Sequence, residues 1–147
     1  MLLDRVPSSL LRSRLTGPAG LVPLAIRLGA GTAVVGFGIG KFADHAKEVT
    51  DFRGFGVPMP EIAVSLAGTI ETVGGVLVVI GLLTRLGALA IAANLVGALL
   101  TAGINEGGTF HLVVGPSIMI LMLVLVVTGA GPLSVDERLL RRSAGSP

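Results

Sequence analysis

The stretch from Ile62 to Leu83, IAVSLAGTIETVGGVLVVIGLL, decides the fold, because it is long and apolar enough to cross a bilayer. Glu71 lies near its centre, where an ionisable side chain costs at least about 2.5 kcal/mol to insert. The residues three and four positions away on either side are all small: Ala67, Gly68, Gly74 and Gly75. Small residues mark a face on which another helix packs, so we expect Glu71 to point into a bundle. Two interpretations stay open: a carboxyl that only fixes packing, and one with a functional role.

The overall composition is that of a membrane protein. Of the 147 residues, 52% are hydrophobic and 14% are charged, with a mean hydropathy of +0.89. Soluble domains carry about 25% charged residues. The net charge of +2 does not indicate a nucleic-acid partner, because no basic stripe with interleaved aromatic residues accompanies it.

The lack of cysteine and the scarcity of aromatic residues limit the chemistry that this chain can perform. It has no cysteine, which excludes disulfides, thiol nucleophiles and thiolate-bound iron–sulfur clusters within it. It has no Trp or Tyr and only five Phe, so few side chains are available to stack a quinone or a flavin. We therefore predict no cofactor within this chain and expect any redox chemistry to require a partner.

Four apolar runs, each near the roughly 20 residues that a bilayer requires, lie at about 21–42, 62–83, 86–104 and 112–129. They predict an all-α integral membrane protein, a four-transmembrane-helix antiparallel bundle occupying residues 21–130. The first run is longer than the apolar region of a signal peptide and reads as an uncleaved span. Only Thr84 and Arg85 separate the second run from the third, which predicts a tight hairpin there. Pro116 is expected to kink the fourth span or to loosen its first turn.

The basic residues predict the orientation of the bundle. One side would hold seven cationic residues, Arg5, Arg12, Arg14, Arg85, Arg138, Arg141 and Arg142. The other side would hold Lys41, Lys47 and Arg53. By the positive-inside rule both termini are expected in the cytoplasm, as a basic N-terminal segment (1–20) and a basic C-terminal tail (131–147). For the N-terminal segment, a short helix on the membrane surface and a disordered tail both stay open.

Three polar residues from three spans are the main site candidates. Counted along the helices from the cytoplasmic side, Arg27 lies roughly 9 Å deep, Asn94 roughly 12 Å and Glu71 roughly 18 Å. These depths predict an Arg27–Glu71 ion pair within a buried polar cluster of Arg27, Glu71 and Asn94. Lys41, roughly 30 Å deep, is expected to extend outward to the far surface. The cluster could latch the bundle together, or it could accept protons or bind a headgroup.

Two weaker patterns in the sequence are a glycine motif and a pair of histidines. The glycines of the Gly36-x-x-x-Gly40 motif are expected to serve packing within the chain rather than dimerisation. His45 and His111 are expected to be solvated loop residues, since nothing around them has the spacing of metal ligands, and no metal site is predicted.

Several fragments, in order, resemble the DoxX family of small bacterial membrane proteins. They are Arg27-Leu28, Gly38-Ile39-Gly40-Lys41-Phe42, Phe55-Gly56-Val57-Pro58-Met59-Pro60, Glu71-Thr72-Val73-Gly74-Gly75, Gly81-Leu82-Leu83-Thr84-Arg85 and Gly131-Pro132-Leu133-Ser134-Val135-Asp136. The resemblance implies a multi-pass protein of the bacterial cell (inner) membrane with four helices. It also implies a link to sulfur-compound oxidation, thiol homeostasis and oxidative stress. Its matching polar positions are Arg27, Lys41, Glu71 and Arg85, which makes Lys41 and Arg85 secondary site candidates.

These observations favour a non-catalytic membrane subunit that anchors a redox or thiol-stress complex and gives it access to quinone. Its expected partners are the lipid bilayer, soluble or membrane oxidoreductase subunits, and further copies of the chain. One alternative is a catalytic subunit of a thiosulfate:quinone-type oxidoreductase, to which one branch of the family is similar. The second alternative is a small carrier for a lipophilic or anionic molecule, which four short spans without visible inverted repeats favour less.

Overall fold

The computed structural model of the protein describes residues 7–144, a range that contains helices and no strand. The helices are α1 (Ser8–Leu11), α2 (Gly17–Ala43), α3 (His45–Gly54), α4 (Pro60–Ile80), α5 (Thr84–Gly103), α6 (Phe110–Thr128) and α7 (Val135–Ala144). Helices α2, α4, α5 and α6 are each long and apolar enough to cross a membrane. The predicted all-α bundle of four spans is therefore confirmed. Arg5, counted above among the basic residues, lies outside the described residues, as do residues 145–147.

Helix α4 is the centre of the bundle, because it packs on both α2 and α5, while α6 packs on α5. The first turns of α2, Leu21–Ile26, also contact α6. This contact closes the bundle at the end where α2 begins and α6 finishes, which we call the Arg27 end. The opposite end, where α2 finishes and α4 begins, is called the Lys41 end.

Small residues on α4 allow these close contacts, as the sequence predicted. Ala67, Gly68, Gly74 and Gly75 are all buried. A Cβ atom at Gly75 would lie 2.7 Å from Val35 of α2, and one at Gly74 would lie 3.1 Å from Ile91 of α5. Real Cβ contacts are longer than the first of these distances, so the α2–α4 approach requires glycine.

The apolar core lies between the spans and is rich in aliphatic side chains. Its fully buried members include Val78, Ala88, Ile91, Met122 and Leu125. Outward-facing leucine, isoleucine and valine residues remain exposed on every span, as a lipid-facing surface requires.

The turn between α4 and α5 differs from the predicted hairpin. Gly81 and Leu83 both have left-handed backbone conformations, with φ of +74° and +48°, and they end α4 three residues earlier than the hydropathy suggests. Thr84 and Arg85, predicted to form the turn, are instead the first residues of α5. The predicted tight hairpin is present, but its turn is formed by residues 81–83. The residues assigned to the turn were wrong because hydropathy does not register backbone conformation, and Leu82 and Leu83 are as apolar as the helix before them.

The segments outside the spans are more ordered than composition indicated. The long connection after α2 contains the helix α3, and the basic C-terminal tail contains the helix α7. The described part of the N-terminal segment holds the single turn α1 and then the first turn of α2. At Pro116, the helix α6 begins with a π-helical segment, Phe110–Val114, and becomes α-helical from Gly115. The first turn of this span is thus loosened, one of the two outcomes expected for Pro116.

The Gly36-x-x-x-Gly40 motif does not serve packing within the chain, contrary to expectation. Both glycines are exposed, and a Cβ atom at either position would meet nothing within 4 Å. The glycine of α2 that packs tightly is Gly38, where a Cβ would lie 2.6 Å from the backbone nitrogen of Thr72 on α4. Gly36 and Gly40 lie on other faces of the same helix.

Candidate functional site

A cavity of about 710 Å³ lies at the Lys41 end, lined by residues of α2, α3, α4, α5 and α6. Its wall is mostly apolar and includes four of the five phenylalanines of the chain: Phe37, Phe52, Phe55 and Phe110. Phe37 and Phe110 join the first and fourth spans edge to face, with ring centroids 5.2 Å apart. The volume is within the range of small-molecule sites, about 300–1,000 Å³.

Three polar side chains meet in the wall of this cavity. The Lys41 ammonium nitrogen donates to Oε2 of Glu71 at 2.8 Å, and the Asn94 amide donates to Oε1 of Glu71 at 3.0 Å. The pair is largely withdrawn from solvent, with exposed side-chain fractions of 15% for Lys41 and 7% for Glu71. All three residues line the cavity. We call Lys41, Glu71 and Asn94 the polar trio.

The predicted Arg27–Glu71 ion pair is wrong. Arg27 is almost fully buried, with 2% of its surface exposed, but its guanidinium binds backbone carbonyls at the Arg27 end. Nε donates to the Val78 oxygen, Nη2 to the Val79 oxygen and Nη1 to the Ala130 oxygen, each at 2.9 Å. These carbonyls lie at or just beyond the C-terminal ends of α4 and α6, where helices leave acceptors unbonded and cations are favoured.

The direction of helical side chains explains why Lys41, and not Arg27, reaches Glu71. Side chains on a helix lean towards its N-terminus. Both cations are on α2, so Arg27 leans away from the membrane centre and Lys41 leans into it. Lys41 packs beside Gly68, one turn from Glu71, so its leaning side chain reaches the carboxylate. The expectation that Lys41 extends to the far surface was therefore also wrong.

The Arg27 end is fastened by two further residues, Asp136 and Arg85. The Asp136 carboxylate accepts the backbone N–H groups of Leu83 at 2.7 Å and Thr84 at 3.1 Å, which caps the start of α5. Arg85 donates to the Val126 oxygen near the end of α6 at 2.6 Å. Burial raises the pKa of Asp136, and the N–H donors from Thr84 and Leu83 oppose that shift. Arg85 and Arg27 thus hold the ends of two spans and lie outside the cavity.

Titratable residues also line the cavity. Lys47, Glu48 and Asp51 line it from α3, and Lys47 forms an ion pair with Asp51. His111 also lines it and stacks edge to face on Phe55, with centroids 5.3 Å apart, so it is not the solvated loop residue expected from the sequence. Within residues 7–144, no three His, Asp or Glu side chains are grouped as metal ligands would be.

Comparison with known proteins identifies the family. The DoxX family model matches residues 22–104, more than half of the chain. The chain belongs to the DoxX family. It is also similar to an uncharacterized membrane protein of Mycobacterium tuberculosis strain H37Rv, with 30% identity over 142 residues covering 86% of this chain and 85% of that protein. No solved structure matches.

The DoxX match contains the whole polar trio, together with Arg27 and Arg85. It ends before α6, so the wall formed by Phe110 and His111 lies beyond the matched residues, as does Asp136. Sequence reasoning missed both the cavity and the role of Asp136. A signal for Asp136 was present, since it closes the Gly131–Asp136 fragment directly after the last span.

Proposed function

We propose that this DoxX protein binds a neutral lipophilic molecule of the quinone class in the cavity, as a non-catalytic membrane subunit that gives redox partners access to it. The observation that carries the proposal is the cavity itself, which combines aromatic walls with the polar trio. An apolar pocket with a few convergent polar groups is the usual form of a small-molecule site.

The chemistry of the polar trio favours a neutral ligand with acceptor atoms. An ammonium group has three N–H donors, and Glu71 accepts from Lys41 through one of its oxygens. Lys41 therefore keeps donors for a ligand carbonyl. Because the charges of Lys41 and Glu71 cancel each other, the trio offers little net attraction to a free anion. Quinone carbonyls meet these conditions, and the phenylalanine rings suit a flat, apolar ring system.

The ligand would reach the cavity from the bilayer. Gly36 and Gly40 line the cavity and are also exposed on α2, with open space where a side chain would be. We infer that the absence of side chains at these two positions opens the cavity at the side of the bundle that faces lipid. A lipophilic molecule dissolved in the membrane could enter there without crossing water.

The non-catalytic assignment follows from the side chains that the chain offers. It has no cysteine, and residues 7–144 contain no grouped metal ligands. Electrons would therefore be exchanged between the bound quinone and a partner enzyme. Purification of the tagged protein in mild detergent should recover oxidoreductase subunits in stoichiometric amount, whereas repeated isolation of the chain alone would contradict the anchoring role.

The binding site is tested with a matched pair of glycine variants. Gly36→Leu places a side chain in the cavity. Gly29→Leu is the control: a Cβ atom there also meets nothing within 4 Å, but Gly29 is not among the residues that line the cavity. A short-chain benzoquinone should raise the thermal stability of the purified wild type and of Gly29→Leu. It should not stabilise Gly36→Leu. Equal stabilisation of the two variants would refute the site.

A carrier for the same lipophilic class is a second candidate, favoured by the lateral opening beside Gly36 and Gly40. Uptake into proteoliposomes separates the two functions. A carrier predicts transport that Gly36→Leu abolishes, whereas an anchoring subunit predicts quinone binding without transport.

A further inference from the structure

A second depression lies at the Arg27 end, far from the cavity, between the segment that precedes α2 and the helix α7. It has a volume of about 460 Å³. The side chains of Arg12 and Arg141 line it from opposite elements, and Leu15, Pro132 and Leu140 contribute apolar surface. We call it the basic groove, and we propose that it binds the headgroup of an anionic phospholipid.

The position of the groove along the membrane normal supports a lipid. Gly17, at its edge, is the first residue of the first span, and Gly131, also at its edge, follows the last span by three residues. The groove therefore lies at the boundary of the bilayer, where lipid phosphates are found. Its apolar surface can receive the first part of an acyl chain, while the two guanidiniums face the headgroup.

The segment that carries Arg12 is held in place by the end of α6 and the start of α5. Arg14 donates its backbone N–H to the Thr128 oxygen at 2.7 Å, and Arg85 donates to the Arg12 carbonyl oxygen at 3.0 Å. These bonds fix the backbone on one side of the groove opposite α7. The two guanidinium-bearing elements are thus arranged before any ligand binds, which lowers the entropic cost of binding.

Charge complementarity identifies the headgroup as anionic. Among the described residues, 7–144, the only carboxylate lining the groove is that of Glu137, which pairs with Arg141 at 2.7 Å. Within residues 7–144, no carboxylate lies within ion-pair distance of Arg12. Arg12 therefore keeps its full set of donors, and arginine binds phosphate oxygens through two parallel N–H bonds. Glu137 competes with the lipid for Arg141.

The competition makes the proposal testable in both directions. The purified protein in detergent is titrated with phosphatidylglycerol and with phosphatidylcholine of the same acyl chains, and bound lipid is counted by native mass spectrometry. Phosphatidylglycerol should bind in preference. Arg12→Gln or Arg141→Gln should weaken its binding about five-fold each, and Glu137→Gln should strengthen it.

Two controls distinguish the groove from general attraction to positive charge. Arg138→Gln removes an exposed charge from α7 outside the groove, and Arg53→Gln removes one at the Lys41 end. Both should leave the preference for phosphatidylglycerol nearly unchanged. Losses equal to that of Arg12→Gln, or a Glu137→Gln variant that binds less lipid, would overturn the proposal.

A third arm separates a lipid from a free anion. Inorganic phosphate should compete only weakly, because it cannot use the apolar surface formed by Leu15, Pro132 and Leu140. Displacement of the lipid by low concentrations of inorganic phosphate would assign the groove to a soluble anion and refute the lipid. None of these measurements depends on quinone binding.

Discussion

Replacing Glu71 by methionine removes the negative partner of a buried ion pair while keeping a side chain of similar length. Lys41, 2.8 Å from the carboxylate and 15% exposed, would then be an uncompensated cation in the bundle. Breaking a buried pair costs about 3–5 kcal/mol. Because Lys41 is close to the end of α2, its ammonium can turn partly towards the boundary, so we expect a loss of about 2–3 kcal/mol.

The double variant Glu71→Met with Lys41→Met removes both charges, and most of that loss should be recovered. The coupling free energy between the two positions should then be about 2 kcal/mol. The measurement is equilibrium unfolding in mixed micelles with increasing SDS, applied to the wild type, the two single variants and the double variant. Two-state unfolding is a condition for the cycle and is checked with a second probe.

Arg27 provides the control cycle. Its guanidinium binds the carbonyls of Val78, Val79 and Ala130 and does not contact Glu71. Arg27→Gln should therefore be destabilising by itself, and its loss should add to that of Glu71→Met without any recovery. The Lys41–Glu71 pairing would be refuted if adding Arg27→Gln to Glu71→Met recovered stability while adding Lys41→Met gave additive losses.

Two further predictions concern packing and pH. Gly38→Ala should destabilise the bundle by about 1–3 kcal/mol in the same unfolding assay, because the new Cβ would lie 2.6 Å from the Thr72 nitrogen. Gly36→Ala is the control and should not be destabilising, because its Cβ meets nothing within 4 Å. Similar losses of stability in the two variants would contradict the α2–α4 register. Burial raises the pKa of Asp136, so the folded state favours the protonated carboxyl. The contribution of Asp136 to the stability of the fold should therefore fall as pH rises from about 3.9, the unfolded-state pKa, through the higher folded-state pKa. The advantage in thermal stability of the wild type over Asp136→Asn should accordingly shrink over that window, and an advantage that grows with pH would show that the pKa is lowered.

The number of spans and the buried face of α4 could be predicted because both depend on local sequence. Apolar runs of bilayer length define the spans, and the small residues around Glu71 define a packed face wherever that helix lies. The contact between Asn94 and Glu71 agrees with the cluster predicted from the depths of these residues, which lie on adjacent spans.

The partners of the charged residues could not be predicted from depth alone. The depths of Arg27 and Lys41 were counted at the helix backbone, but a long side chain displaces its charge by several ångströms towards the helix N-terminus. That displacement moves the two cations of α2 in the same direction, which is away from the membrane centre for Arg27 and towards it for Lys41.

The cavity and the cap on α5 were beyond sequence reasoning for a different reason. Gly36 and Gly40 line the cavity without side chains, and a GxxxG pattern does not indicate whether its glycines face a helix or open space. Asp136 caps a helix that begins 52 residues earlier in the chain, so no capping pattern in the local sequence identifies Asp136 as a cap.

The orientation of the bundle remains a prediction, and the structure sharpens its test. Arg12, Arg14, Arg138 and Arg141 lie at the Arg27 end, whereas Lys41 at the other end is neutralised by Glu71. The positive-inside rule therefore places the Arg27 end in the cytoplasm.

Labelling of single introduced cysteines tests this orientation, because the chain has no cysteine of its own that would react. Ala46→Cys, exposed on α3, should react with an impermeant thiol reagent in intact cells. Ser9→Cys, exposed on α1, should react only after permeabilisation. The reverse pattern would place the basic groove in the outer leaflet and the Lys41 end in the cytoplasm.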